Sequence, residues 1–244
     1  MSEIETNNLD KKRMREALES DFSNQDGLLR IKLTLSESTS SAYQLDPSYW
    51  LWRLSRYKHV SRIIAEKNNV LEIGSGDCFA SPMVAKNVKK LTCIEFLKEH
   101  VDYAKRNITP LFKNIEVFNY SFPEDFEKIK NIPPKKQGFD VVFSLDVFEH
   151  IRPDFSENFT LMASKLLTKE GLYLVGIPSL DSQAYASEGS KIGHVNCMNK
   201  NQLSNHLKSY FHNVIIFGIN DETLHTGFGP MCHYYLAVCS NKKN

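Results

Sequence analysis

The sequence predicts an α/β fold: a doubly wound, mostly parallel seven-stranded sheet with a final antiparallel strand and helices on both faces. Three observations carry this. From Val70 onward, short apolar runs rich in β-formers (NVLEIG, KLTCIEF, NIEVFNY, FDVVFSL, LYLVGIP) alternate with helical segments, as in parallel strands covered by helices. The first run breaks into G-S-G at Gly74–Gly76, a turn from strand to helix. The last two runs, NVIIFGI and HYYLAVC, are joined by DETLHTGFGPM with no room for a helix, and read as an antiparallel hairpin.

Taken in order, residues 1–26 are polar and dense in charge, with apolar positions only at Met14, Ala17 and Leu18, a pattern for a marginal helix or mobile arm. SESTSS, Ser36–Ser41, reads as a polar loop. Asp46 and Pro47 then supply a cap and a first-turn residue for one aromatic-rich helix carrying Trp50, Leu54, Tyr57 and Ile64. Residues 1–45 are accordingly an N-terminal arm or cap, and residues 46–244 one domain. Within that domain AKRN after Val101 is helical. So is the run Phe155, Phe159, Met162, Leu166, with spacings of 4, 3 and 4.

Composition narrows the function. The 244 residues are 41% hydrophobic and 24% charged with a net charge of +1, ordinary for a globular protein and without the basic face that nucleic-acid binding needs. The five cysteines form no C-x-x-C pair and no metal-ligand rhythm. No apolar stretch approaches membrane-spanning length and the first residues lack a signal-peptide core. The expectation is a cytoplasmic protein with buried free thiols, no membrane partner and no nucleic-acid partner. Nothing in the sequence bears on oligomeric state.

The glycine turn is the first candidate site. A strand entering G-S-G at the carboxyl edge of a parallel sheet exposes bare backbone where ligands bind. A dinucleotide turn would place a third glycine at position 79, which is Phe79. Glu72, two residues before Gly74, would repel a pyrophosphate but suits an ammonium or sulfonium. Glu95 ends the second strand 23 residues after Glu72 (95 − 72), where a carboxylate accepts from both hydroxyls of a ribose.

VLEIGSG, CIEF, FDVVFSLDVFEHI and LLTKEGLYLVGIPS, in this order, resemble a class I S-adenosylmethionine-dependent methyltransferase, with a Rossmann-like fold, over Val70 to Ser179. The resemblance implies S-adenosyl-L-methionine as cofactor and S-adenosyl-L-homocysteine as product. It gives Glu72, Gly74, Ser75 and Gly76 to the methionine part, Glu95 to the ribose and Phe96 to the adenine face. Asn119, Tyr120 and Ser121 stand where the family often has an acid near the adenine amine, and Asp146 lines the methyl-transfer end. Arg56 and Tyr57 lie on the helix that passes the cofactor carboxylate. Cys78 departs from the family's third glycine.

Methyl transfer to a hydroxyl or protonated amine gains from a base near neutral pKa. His150, in D-V-F-E-H, is the first candidate, with Glu149 to orient it or meet the substrate. His194 is the second. By resemblance, Gly193, His194, Asn196 and Leu203 belong to a substrate-covering segment near residues 180–205. His150 and His194 with Asp146 or Glu149 lack the tight spacing of a metal site, so no metal is expected. Tyr49, Trp50, Arg53, Arg56, Tyr57, Ile177–Ser179 and the His225–Pro230 loop are expected to roof a small-molecule acceptor, such as a nucleotide-linked sugar or polysaccharide precursor, methylated at oxygen or nitrogen. His225 and His233 read as structural. A non-catalytic cofactor-binding partner subunit and a protein methyltransferase are the alternatives.

Overall fold

The computed structural model describes residues 12–17, 33–133 and 138–243. The chain divides into two units, Met1–Thr34 and Leu35–Asn244. In the first, residues 12–17 are helical and exposed, while residues 1–11 and 18–32 of the expected arm lie outside the described residues.

The second unit opens with helices α1 (Glu37–Leu45) and α2 (Pro47–Ile63). SESTSS, expected as a loop, is helical from Glu37. Ser36 caps α1 by accepting from the Thr39 N–H at 3.1 Å, and the hydroxyls of Ser36 and Thr39 both donate to the buried Asp77 carboxylate. A polar run folds here because its acceptor waits 41 positions further along the chain. Asp46 caps α2 through Ser48 N–H, with Pro47 in the first turn, as the sequence predicts.

Strands β1 (Asn69–Ile73), β2 (Lys90–Glu95), β3 (Ile115–Asn119), β4 (Phe139–Leu145), β5 (Leu167–Pro178), β6 (Phe211–Asn220), β7 (Thr223–His225) and β8 (Tyr234–Lys242) form one sheet in the order β3-β2-β1-β4-β5-β8-β6-β7. The β1–β2, β2–β3, β1–β4 and β4–β5 pairs are parallel, while β8 runs antiparallel to both β5 and β6. All seven expected strands are present. The eighth, β7, pairs with β6 for three residues inside the DETLHTGFGPM connection.

Side chains alternate between two cores. Val70, Val141, Phe143, Leu174 and Leu236 face one, with Tyr57 and Val60 of α2 and Val84 of α3 (Ser81–Ala85). Leu71, Val142, Tyr173, Val175 and Ala237 face the other, with Phe159 and Ala163. Those two belong to α6 (Ser156–Leu166), preceded by α4 (Lys98–Asn107) and α5 (Phe126–Lys130). Burial of both sheet faces leaves the carboxyl edge of the parallel strands as the open end. After β5 the chain crosses that edge through a 3-10 turn (Asp181–Tyr185) and α7 (Glu188–Gly193) before α8 (Lys200–Lys208). Among the described residues, no helix is long and apolar enough to cross a membrane.

Candidate functional site

At the open edge, β1 runs into Gly74 (φ +74°) and Gly76 (φ +57°), both in the left-handed region that glycine adopts without strain. A Cβ on Gly74 would stand 2.4 Å from Val147 Cγ2, so the turn packs directly on the connection after β4. Gly74 N–H donates to Ile94 O at 2.9 Å, holding the turn to β2. Glu95, 5% exposed, accepts from Gly76 N–H at 3.0 Å and from Leu97 N–H at 2.9 Å. A carboxylate has about four acceptor positions. Two serve the backbone, and two remain for a pair of hydroxyls.

The turn borders a cavity of about 970 Å³. Of the residues the sequence singles out, Arg56, Gly74, Gly76, Glu95, Phe96, Tyr120, Ser121, Asp146, Glu149, His150 and His194 line it. Phe96 is 67% exposed, an open ring at its rim. Glu72, Ser75, Tyr57 and Asn119 are not among the lining residues. The pleat explains Glu72: it shares the Val70 face of β1, so its carboxylate, 1% exposed, points beneath the turn. There it accepts from Tyr57 Oη and Ser81 Oγ, each at 2.7 Å. Burial pushes the Glu72 pKa up, and the Ser81, Tyr57 and Cys93 hydrogen bonds oppose this. Asn119 donates to the carbonyls of Glu95 and Phe96 at 2.9 and 2.8 Å, which fixes the end of β2. Ser75 is buried in the turn.

The wall opposite the turn is built on α2. Arg56 Nη1 lies 2.6 Å from Asp146 Oδ1, and its guanidinium sits 3.9 Å from the Tyr234 ring centroid. Asp146 takes φ +57° at the end of β4, a conformation that costs a non-glycine residue strain and turns the chain toward the cavity. Burial opposes the Arg56 charge, but Asp146 and the Tyr234 and Tyr49 hydroxyls outweigh it and raise its pKa. Arg53 stands over the turn itself, its Nη2 3.5 Å from the place a Cβ on Gly76 would occupy. Of the expected acceptor roof, Tyr49, Arg53 and Pro178 line the cavity, whereas Trp50 packs on Phe79 with centroids 4.3 Å apart. Trp52, Tyr234 and His233 line it without having been singled out for this. His225 instead bonds Asn220 Oδ1 at 2.7 Å. The Tyr234 signal lay in HYYLAVC, where alternation puts Tyr234 and Leu236 on one face.

The third wall joins distant parts of the chain. Glu149 and His150 lie on a 3-10 turn after β4, and His194 follows α7. The two imidazole centroids are 5.1 Å apart. His150 Nδ1 bonds Gly193 O at 2.9 Å, and His194 Nδ1 bonds Gln183 Oε1 at 2.9 Å. Burial, and next Asp146, push the Glu149 pKa well up. Burial, then His150, lower that of His194. Asn196 N–H donates to Glu149 O at 3.0 Å, while Asn196 Nδ2 donates to Ser156 Oγ at 2.8 Å. These bonds fasten the covering segment to the turn after β4.

Residues 70–171 match the family model of the methyltransferase domain. No curated protein matches the chain by sequence. Among solved structures, the chain is similar to the N-methyltransferase NodS of Bradyrhizobium japonicum WM9, crystallised with S-adenosyl-L-homocysteine. The two are 17% identical with a TM-score of 0.51, over 82% of this chain and 87% of that one. A chain of the Haloferax volcanii complex between the Trm112 methyltransferase activator and a methyltransferase superposes with a TM-score of 0.62 at 11% identity, covering 83% and 97%. The methyltransferase domain of bacterial CtHen1-C gives 0.58 at 16% identity, covering 78% and 97%.

Proposed function

We propose that the chain, whose residues 70–171 match a methyltransferase domain, is a class I S-adenosylmethionine-dependent methyltransferase that transfers the methyl group to an oxygen or nitrogen of a small molecule. The cavity carries this reading. It brings the glycine turn, the Glu95 carboxylate and the Glu149–His150–His194 cluster into about 970 Å³, near the top of the range for small-molecule sites of roughly 300–1,000 Å³. That is room for a nucleoside cofactor and a modest acceptor together. The segment carrying Gln183, Tyr185 and Ser190 lines one side of it, which narrows the room for a macromolecular acceptor.

The residues present fit the cofactor. The two free acceptor positions of Glu95 suit a ribose diol, the absent Cβ at Gly76 leaves the backbone open to a ligand, and Phe96 offers a ring for the adenine. Arg53, over the turn and without a carboxylate at ion-pair distance among the described residues, suits the methionine carboxylate, since Arg56 is committed to Asp146. Glu72 acts indirectly, holding Tyr57 and Ser81 below the turn. When bound, S-adenosylmethionine supplies an activated methyl group on a sulfonium. The chain has then to orient the acceptor in line with it, exclude water and receive a proton. His150 lines the cavity and commits its Nδ1 to Gly193 O, which supports Nε2 as the atom that receives that proton.

The test is formation of S-adenosylhomocysteine by the full chain with pools of hydroxylated and amino small molecules, set against peptide and RNA acceptors. Turnover with the small molecules is expected. Turnover with peptide or RNA alone would overturn the acceptor class. His150→Ala is expected to lower kcat by about 10²-fold or more without changing the Kd for S-adenosylhomocysteine, and an unchanged kcat would remove His150 from the chemistry.

A further inference from the structure

We propose that Glu149, His150 and His194 bind a divalent first-row transition-metal ion at the wall of the cavity, with open coordination positions that take an oxygen of the methyl acceptor. The metal site stands on the geometry alone. Its use on the acceptor rests on the methyltransferase reading above.

One potential ligand atom from each of the three residues lies within 4.8 Å of the other two. Three ligands about 2.2 Å from one ion that keeps open positions stand about 3.1–3.6 Å from one another, so closure asks for side-chain movements of about an ångström. The imidazoles are already set for this. The Nδ1 of His150 faces a backbone carbonyl and that of His194 faces the Gln183 carbonyl oxygen. Carbonyl oxygens only accept, so each Nδ1 is the donor, which leaves Nε2 as the ring nitrogen available to an ion. Gln183 holds its own orientation by donating Nε2–H to Ser179 O at 3.2 Å. Histidines that ligate metals are oriented in this way by a carbonyl or carboxylate on the other ring nitrogen.

Glu149 supplies the independent observation. The residue is 1% exposed, and its Oε2 is buried with no hydrogen-bond partner. A buried carboxylate oxygen left unpartnered is costly unless it meets a cation. The neighbouring cation, Arg56, is committed to Asp146. An ion between Glu149 and the two imidazoles answers that deficit.

The site is also fixed in place. Gly193 lies so close over His150 that a Cβ there would meet the ring at 3.3 Å, and Asn196 bonds both Glu149 O and Phe148 O. His150 and His194 are 44 residues apart in the chain (194 − 150), which is why spacing gave no metal signal. Two imidazole nitrogens and one carboxylate favour Mn²⁺, Fe²⁺, Co²⁺ or Zn²⁺ over the all-oxygen preferences of Mg²⁺ and Ca²⁺. Three protein ligands leave positions free, and a hydroxyl held there loses its proton more readily. An ion held by these three residues would present the acceptor oxygen to the methyl group that S-adenosylmethionine supplies; the carbon–sulfur bonding pair would pass to sulfur and the hydroxyl proton to solvent. With the ion bound, both Nε2 atoms are ligands and the imidazoles act on the acceptor through the ion; His150 Nε2 is the proton acceptor only in the metal-free protein.

The experiment uses the untagged full chain, stripped with chelator and titrated with Co²⁺ and Zn²⁺ by calorimetry, with the visible d–d bands of Co²⁺ as a second readout. One equivalent is expected to bind, with bands of a nitrogen- and oxygen-ligated ion. His194→Ala and Glu149→Gln, checked for folding by thermal melting, should abolish the bands or weaken binding at least ~100-fold, and Gln183→Leu should weaken it ~10- to 100-fold. No saturable binding, or equal affinity in His194→Ala and the parent, would overturn the site. S-adenosylhomocysteine affinity is measured on the metal-free chain. Loss of that binding with the metal retained would overturn the methyltransferase reading and spare the metal site, and the reverse result would do the opposite.

Discussion

Replacing Glu95 separates two roles that its carboxylate holds at once. Its oxygens accept from Gly76 N–H and Leu97 N–H, and on the proposed reading they also accept from the two hydroxyls of the cofactor ribose. Hydrogen bonds to a charged group contribute about 1.5–3 kcal/mol each. Glu95→Ala should therefore lose about 3 kcal/mol of cofactor binding, which at 1.4 kcal/mol per tenfold is a rise of roughly 100-fold in the Kd for S-adenosylhomocysteine. The two internal bonds, also to the charged carboxylate, should cost about 1.5 kcal/mol each in the free protein, lowering Tm by about 6–12 °C at this chain length. Glu95→Gln is a sharper probe. Two backbone donors converge on the carboxylate from different oxygens, so the carboxamide must turn its NH₂ toward one of them. The glutamine variant should thus bind within about tenfold of the alanine variant rather than rescue it. Calorimetry with S-adenosylhomocysteine gives Kd, and thermal melting without ligand gives stability. A lower Tm with an unchanged Kd in both variants would refute the ribose role and leave Glu95 as a staple of the turn.

Gly74→Ala forces an L residue to φ +74° and sets its Cβ 2.4 Å from Val147 Cγ2, at an expected cost of about 3 kcal/mol. Val147→Ala should recover about 1 kcal/mol of that in the double variant, since it removes the contact but not the φ strain; strictly additive effects in denaturant melts would contradict the packing described. Glu72 has a folded-state pKa raised above its ordinary value of 4.5 by burial. The folded protein therefore holds that proton more tightly than the unfolded chain, and Glu72 contributes stability below about pH 4.5 that is lost as pH rises through the raised value. Glu72→Gln should flatten the decline, by at most about 1.4 kcal/mol per pH unit, in unfolding free energies measured upward from pH 4.5. An unchanged slope would show that Glu72 ionises in the fold as it does in the unfolded chain.

Most of the sheet is legible in the sequence because strands buried on both faces read as unbroken apolar runs, as FDVVFSL and LYLVGIP do. The strand β7 is not, since three residues between two turns carry no pattern. Helix α1 is misread as a loop because its partner, Asp77, is supplied by the glycine turn rather than by local sequence. At the site, Gly74, Gly76 and Glu95 sit where their spacing puts them. Proximity to the glycines suggests a ligand role for Glu72, whereas the period of the strand, which puts it on the Val70 face, sends it under the turn. Arg53 and Arg56 are three apart on one helix, and only the fold shows that Asp146 occupies the second and leaves the first to the turn. The meeting of His150 with His194 is tertiary throughout, made by Gly193 and Asn196 across the covering segment.

The central claim is that the Gly74–Gly76 turn and Glu95 hold a nucleoside whose sulfur faces the Glu149–His150–His194 wall. A crystal structure with S-adenosyl-L-homocysteine tests it most directly. The account predicts both ribose hydroxyls within hydrogen-bond distance of Glu95, with the sulfur directed at open space before His150 and His194. An empty turn, or a sulfur directed away from those imidazoles, would contradict it.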